Sequence, residues 1–222
     1  MFGNNPKRKP EIGNGDFLYI TKIFKTIQGE GPYVGMGGIF IRLGGCNLAC
    51  HFCDTEFENF TKMNISTIID EVNNLAKDSI KLVVITGGEP LRQPIALLCK
   101  KLLDARFKVQ METNGTLYRE LPKQVEIVCS PKIIANKYLK IRQELIPHIK
   151  AIKFLISANI PGYNQIADNI LQDIDKQIPI YVQPIDEFDE QKTKFNEQLA
   201  VDLAINKGYI LSYQIHKKLG IE

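Results

Sequence analysis

Three cysteines crowd the stretch GGCNLACHFCDTEF, residues 44–57, where Cys46, Cys50 and Cys53 are spaced C-x3-C-x2-C. Thiolates so placed can wrap one metal centre. A structural zinc takes four ligands and is closed, and iron–sulfur clusters are as a rule held by four cysteines. His51 adjoins Cys50, and two adjacent side chains reach one small ion only with strain, so it is a poor fourth ligand. With three thiolates, one iron of a four-iron cluster has no protein ligand. An open metal position marks a reactive site. The missing ligand is then a small molecule.

Strands and helices must position that loop. FLYITKIFKTI and GIFIRL read as strands, rich in β-branched and aromatic residues. ISTIIDEVNNLAKD carries apolar residues at helical spacing, and KLVVIT is an apolar run suited to a strand buried on both faces. PIALLCKKLLDA reads as a helix, FKVQMET and VEIVCS as strands, LKIRQELIPHI as helical pieces and AIKFLIS as a strand. PGYNQIADNILQDIDKQ reads as a helix, IPIYVQP as a strand and EQKTKFNEQLAVDLAINKG as a helix closed by Gly208. Alternation of this kind predicts an α/β fold with a mostly parallel sheet. An open barrel and a doubly wound sheet both fit about six strand–helix steps, too few for an eight-fold closed barrel. The polar patches GGCNLAC, TGGEP, ETNG, SPK and QP each follow a strand. In parallel α/β folds those carboxyl ends share one ligand-binding face, so the five patches should meet at one site.

A chain of 222 residues with 44% hydrophobic composition suits one domain over 17–222. Residues 1–16 are polar, with Gly, Pro and Asn, and read as a flexible N-terminal extension. A formal charge of +3 is too mild for a nucleic-acid binder. No apolar run is long enough for a membrane span, and no signal-peptide core is seen, so a cytoplasmic protein is expected. Cys99 and Cys129 stand apart in apolar surroundings and read as buried thiols.

C-x3-C-x-aromatic-C, with Phe52 as the aromatic, resembles the signature of radical S-adenosylmethionine (radical SAM) enzymes, and ITGGEP matches the glycine motif of that superfamily. TIQGEGPYVG, FIRLGGCNLACHFCDTEF, ITGGEPLRQ, METNGT and SPK together resemble the 7-carboxy-7-deazaguanine synthase family, from Tyr19 to the C-terminus. The resemblance implies an incomplete TIM-like barrel, a radical SAM core of about six β/α units. It implies a [4Fe-4S] cluster, S-adenosylmethionine and Mg2+. The implied lyase reaction turns 6-carboxytetrahydropterin into 7-carboxy-7-deazaguanine with loss of ammonia, through a 5′-deoxyadenosyl radical that is returned to the cofactor. A homodimer and an external flavodoxin-like one-electron reductant are implied too. Two alternatives remain: a radical SAM activating enzyme acting on a partner protein, and a metal module without catalysis.

The resemblance also implies residue roles. Cys46, Cys50 and Cys53 hold the cluster, Phe52, Cys53 and Asp54 the adenosine part of the cofactor, and Thr55 the Mg2+. Gly88 and Glu89 meet the cofactor, the first by close backbone approach and the second through its ammonium. Ser130, Pro131 and Lys132 are further cofactor contacts. Ile27, Gln28, Gly29 and Glu30 read the substrate's donor–acceptor edge. Arg42 clamps its carboxylate, and Thr86, His216 and the chain end at Glu222 approach it. Glu112 and Asn114 either bind cofactor or order their loop, and Gln183 and Pro184 are weaker candidates. Cys50→Ala is expected to abolish cluster binding and turnover yet leave the fold intact, because a loop carries the cysteines. Iron analysis and circular dichroism check this, and global unfolding would make the metal structural.

Overall fold

A computed structural model describes residues 5–77, 79–172 and 174–221. Its strands are β1 (Phe17–Ile27), β2 (Gly37–Leu43), β3 (Thr61–Asn64), β4 (Leu82–Gly87), β5 (Lys108–Thr113), β6 (Glu126–Cys129), β7 (Ile133–Ile134), β8 (Lys137–Tyr138), β9 (Ile149–Ile156), β10 (Ile180–Pro184) and β11 (Ile210–Leu211). Its helices are α1 (Ile65–Ala76), α2 (Ala96–Asp104), α3 (Asp168–Leu171), α4 (Glu190–Lys207) and α5 (Ile215–Lys218).

One nine-stranded sheet runs in the order β11-β10-β9-β6-β5-β4-β2-β1-β3. From β2 to β11 every pairing is parallel, while β1 pairs antiparallel with β2 and β3. The two end strands, β11 and β3, do not pair with each other, so this is the expected partial barrel. β4 shows why the sheet forms. Leu82, Val83, Val84 and Ile85 are buried as a continuous apolar run, as a strand covered on both faces demands. α1 packs Ile65, Ile68, Val72 and Ala76 inward. Asn64 caps it, Oδ1 accepting from the Thr67 amide at 2.8 Å. α4 starts on Asp189, whose side chain accepts from the Lys192 amide at 3.0 Å, and ends on left-handed Gly208.

Two expected segments differ. Helical spacing predicts a helix over 161–177, but among its described residues only Asp168–Leu171 is α-helical. Gly162 takes a φ of 85°, Tyr163 is buried, and its hydroxyl accepts from the Ile133 amide at 2.9 Å. The segment thus opens on a turn, while Ile166, Ile170, Leu171 and Ile174 still pack on the core without forming one continuous helix. The helical pieces expected around 139–149 are a 3-10 helix, Gln143–His148, holding Pro147. Ahead of it β7 and β8 form a hairpin over Ala135 and Asn136, both at positive φ. Such a turn normally calls for Asn-Gly, so Ala-Asn gave no cue.

Composition predicts a flexible 1–16, whereas residues 5–16 are tied along the body. The Arg8 amide donates to the Cys46 carbonyl at 2.7 Å and the Asn5 side chain to the Thr55 carbonyl at 3.0 Å. Arg8 also pairs with Glu58 and lies over the Phe60 ring. Buried Arg92 joins this strap to the cysteine loop: one nitrogen donates to the Gly44 carbonyl at 2.9 Å, another to Lys9 at 3.1 Å and Glu11 at 2.7 Å. Arg92→Ala would remove the hydrogen bonds to the Gly44 and Lys9 carbonyls and to the Glu11 carboxylate, leaving the Gly44 carbonyl held by the Gln93 side chain alone at 3.1 Å. It is expected to cost about 3 kcal/mol, the scale of hydrogen bonds to a charged group. Thermal unfolding of the variant measures the loss.

Candidate active site

The strand registers set the site. Arg42 stands beside Thr86, Leu43 beside Gly87, Thr113 beside Cys129, and Pro184 beside Ile156, all at carboxyl ends. A cavity of about 380 Å³ opens over these ends. Its lining takes in Cys46, Cys50, Phe52, Cys53, Asp54 and Thr55 from the cysteine loop, and Ile27, Gln28, Gly29 and Glu30 from the turn after β1. Arg42, Thr86, Gly88, Glu112, Asn114, Ser130, Lys132, Gln183 and Pro184 supply the strand-end wall, and His216 comes from α5. The five polar patches do converge.

Two expected residues are not in that lining. Glu89 is fully buried. Its carboxylate accepts from the Thr113 hydroxyl at 2.7 Å, the Asn114 amide at 2.8 Å and the Leu91 amide at 3.0 Å. It ties the TGGEP turn to the ETNG turn, and burial raises its pKa against those bonds. Pro131 is buried beneath its loop. Glu222 lies outside the described residues.

The glycines of TGGEP meet the cysteine loop itself. A Cβ on Gly88 would sit 2.1 Å from the Gly45 carbonyl oxygen, and one on Gly87, at φ 123°, 2.2 Å from that of Leu43. This approach lets the Gly88 amide donate to Leu43 at 3.1 Å and the Glu89 amide to Gly45 at 3.0 Å. At the other end of the site, a Cβ on Gly29 would sit 1.9 Å from Nδ1 of His216. The imidazole therefore rests on the QGEG turn, and burial lowers its pKa.

The donor set suits a cluster with one free iron. Cys46, Cys50 and Cys53 all face the cavity, whereas His51 is exposed and set edge-on to Phe52. Among the described residues no three His, Cys, Asp or Glu side chains converge on a single-ion site. Burial pushes Cys46 up to about 12 and raises Cys50 and Cys53. Only a strongly positive ligand partner would make all three thiolates. Lys132 is the nearest helper. Burial lowers its own pKa, and its charge eases Cys50 downward. Its ammonium donates to the Ser130 carbonyl and hydroxyl, each at 2.7 Å. Cys99 and Cys129 are buried in the apolar core, as expected.

Charged groups alternate along the far wall. Burial pushes Glu30 upward, but the Lys153 charge and hydrogen bond outweigh it and hold that carboxyl below its usual range. Asp54 is likewise opposed by burial and lowered by Lys217, which donates to it at 2.8 Å. Gln214 bridges the two acids, donating at 2.7 Å to Glu30 and 3.2 Å to Asp54. Lys153, Gln214 and Lys217 were not foreseen. A lysine inside the apolar run AIKFLIS was the available signal for Lys153. The tail residues gave none.

Comparison with known proteins matches this arrangement. The pattern of the Radical SAM superfamily fits residues 40–171. The chain is 57% identical, over its full length and 96% of the relative, to 7-carboxy-7-deazaguanine synthase of Rickettsia prowazekii. It is 36% identical to that of Rhodospirillum rubrum, with both chains fully covered. The crystal structure of QueE from Escherichia coli superposes with a TM-score of 0.74 at 25% identity, over 89% of this chain and 94% of that one. The chain thus belongs to the 7-carboxy-7-deazaguanine synthase family of radical SAM lyases.

Proposed function

We propose that this chain converts 6-carboxy-5,6,7,8-tetrahydropterin to 7-carboxy-7-deazaguanine with loss of ammonia, in 7-deazapurine and queuosine biosynthesis. The observation that carries the reading is one cavity lined by three thiols, by a set of acids and amides and by the Arg42 guanidinium. The bound cluster and S-adenosylmethionine supply the hydrogen-abstracting radical. The protein's work is to hold, orient and shield.

Cys46, Cys50 and Cys53 would hold the cluster, and with only three protein thiolates it would keep a position open to the cofactor. Phe52, packed edge-on against Tyr163 with ring centres 5.0 Å apart, makes a firm wall for the adenosine. The Lys132 ammonium and Ser130 offer donors to the cofactor's oxygens. Gly88 passes between cofactor and cysteine loop, and Glu89 acts from below by fixing the Asn114 amide.

Arg42 takes the substrate carboxylate. It lies over the Phe24 ring at 5.3 Å, and its Nε is buried without a hydrogen-bond partner. Such a nitrogen is costly to leave unpaired and is best answered by an anion. Gln28, Glu30 and Glu112 present oxygens to the amidine and amide N–H groups of a pterin. Thr86 and His216 border the same space. Thr55 lends a neutral oxygen to Mg2+, which commonly completes its octahedron with substrate and water. The working unit is a homodimer fed by a flavodoxin-like reductant in the cytoplasm. In keeping with that location, no helix among the described residues is long and apolar enough to cross a membrane.

Reconstituted enzyme given 6-carboxytetrahydropterin, dithionite and S-adenosylmethionine is expected to yield a deazaguanine product. Its absence would overturn the assignment. Arg42→Ala should raise KM for the substrate tenfold or more, about 1.4 kcal/mol or upward, with the KM for S-adenosylmethionine unchanged. A change confined to the cofactor would contradict the role given to Arg42.

A further inference from the structure

β9 carries a lysine where its neighbours are wholly apolar. Ala151, Ile152, Phe154 and Ile156 are fully buried, and Lys153 is 4% exposed. A buried ammonium is unfavourable unless it is paired and hydrogen-bonded. Lys153 meets that condition in one direction only, toward the cavity. It donates to Glu30 Oε2, and Glu112 Oε2 lies 3.6 Å away. Burial opposes its charge, but the two acids outweigh burial and raise its pKa above the ordinary lysine value.

These two acids sit on separate elements. Glu30 belongs to the turn after β1, and Glu112 to β5. Gln28 links them, its side-chain nitrogen donating to Glu112 Oε1 at 3.1 Å and its side-chain oxygen accepting from the Glu30 amide at 3.1 Å. Gln110 supports Glu112 from below at 3.3 Å. Every group assigned to the heterocycle's N–H edge is therefore within one hydrogen bond of Lys153 or of an acid that pairs with it. Two carboxylates facing one enclosed space repel each other, and without the Lys153 charge burial would push the Glu30 carboxyl upward. A protonated acid would present a donor where the substrate also has donors.

We propose that Lys153 is a positioning residue of the reaction: its ammonium, lying between Glu30 and Glu112, holds these two acids and the Gln28 that links them as one preset acceptor surface for the N–H edge of the heterocycle. This rests on the pterin reading above. Lys153 acts through the acids and not on the reacting atoms. Each carboxylate oxygen has more than one acceptor site, so oxygens that take Lys153, Gln214 or Gln28 can still accept from a ligand. Other charges facing Glu30 are Asp54 from the cysteine loop and His216 and Lys217 from α5. Lys217 is already engaged with Asp54 and Asp186, at 2.8 and 3.1 Å, so it is not placed to substitute.

The test compares Lys153→Met, Lys153→Arg and the double variant Lys153→Met/Glu112→Gln with wild type, using 6-carboxytetrahydropterin as the probe. Lys153→Met is expected to raise KM for that substrate about tenfold or more. Its KM for S-adenosylmethionine and the change in the cluster's spin-resonance spectrum on adding that cofactor should stay as in wild type. The sign of the pH effect follows from the cation: removing it raises the Glu30 pKa, so that carboxyl protonates sooner as pH falls. The acid limb of kcat/KM should move to higher pH by about one unit or more. Lys153→Arg, which keeps the charge, should recover part of the lost affinity and return the acid limb toward wild type. If Lys153→Met folds poorly, the double variant, with one fewer negative charge, should fold and keep the high KM. An unchanged KM and pH profile in Lys153→Met would overturn the proposal, as would equal losses toward both ligands. Failure of both Met-containing variants to fold would make Lys153 merely structural and overturn it too. Absence of product from wild type would instead sink the substrate reading, so the two failures are distinguishable.

Discussion

The backbone contact between two loops governs this site. The Gly45 carbonyl accepts the Glu89 amide at 3.0 Å, and the space for that bond exists because Gly88 has no Cβ. The contact presses the TGGEP turn against the root of the cysteine loop. Arg92, two residues past the same motif, grips Gly44 from beneath and joins the N-terminal strap to it. Glu89 extends the brace to the ETNG turn. Three loops that have no secondary structure in common are thus locked to one another before any metal is bound. The three cysteines are thereby carried on a rigid frame, as a preset binding site requires.

The opposite wall solves a different problem. Recognising a planar molecule rich in N–H groups calls for acceptors, and the strongest are ionised carboxylates. Enclosing several of them is unfavourable unless cations are interleaved. The order Glu112, Lys153, Glu30, Gln214, Asp54, Lys217, Asp186 meets that need along a line running from β5 to the segment after β10. Alternation sets each acid beside a cation or an amide donor while leaving lone pairs for a ligand. His216, seated on the bare backbone of Gly29, lies beside the Glu30 part of that line.

Much of this was legible in the chain. Strand ends carrying GGCNLAC, TGGEP, ETNG, SPK and QP implied convergence, because parallel strands present all their carboxyl ends on one face. β1, β2, β4, β5, β6, β9 and β10 lie where hydrophobic pattern put them, to within a few residues. What pattern could not show was pairing over long sequence distances. Asn5 with Thr55, Arg8 with Glu58, and Arg92 with Glu11 turn a polar stretch into an anchored strap, and composition is silent about partners. The helix expected over 161–177 was lost for a related reason. Its apolar spacing was genuine, but Tyr163 found a partner in the hairpin of β7 and β8, and that tertiary bond displaced the local preference. Glu89 was read as facing the cofactor because it lies in the right motif. Motif position fixes the turn, yet it does not fix which way one side chain of that turn is directed.

Everything functional depends on one iron being left without a protein ligand. The most direct measurement is spin-resonance spectroscopy of the anaerobically reconstituted, reduced protein, recorded with and without S-adenosylmethionine and alongside iron analysis. A signal from a cluster of about four irons, changed in shape when the cofactor is added, is the predicted result. A protein that binds one zinc tightly, or a cluster whose signal ignores the cofactor, would contradict it.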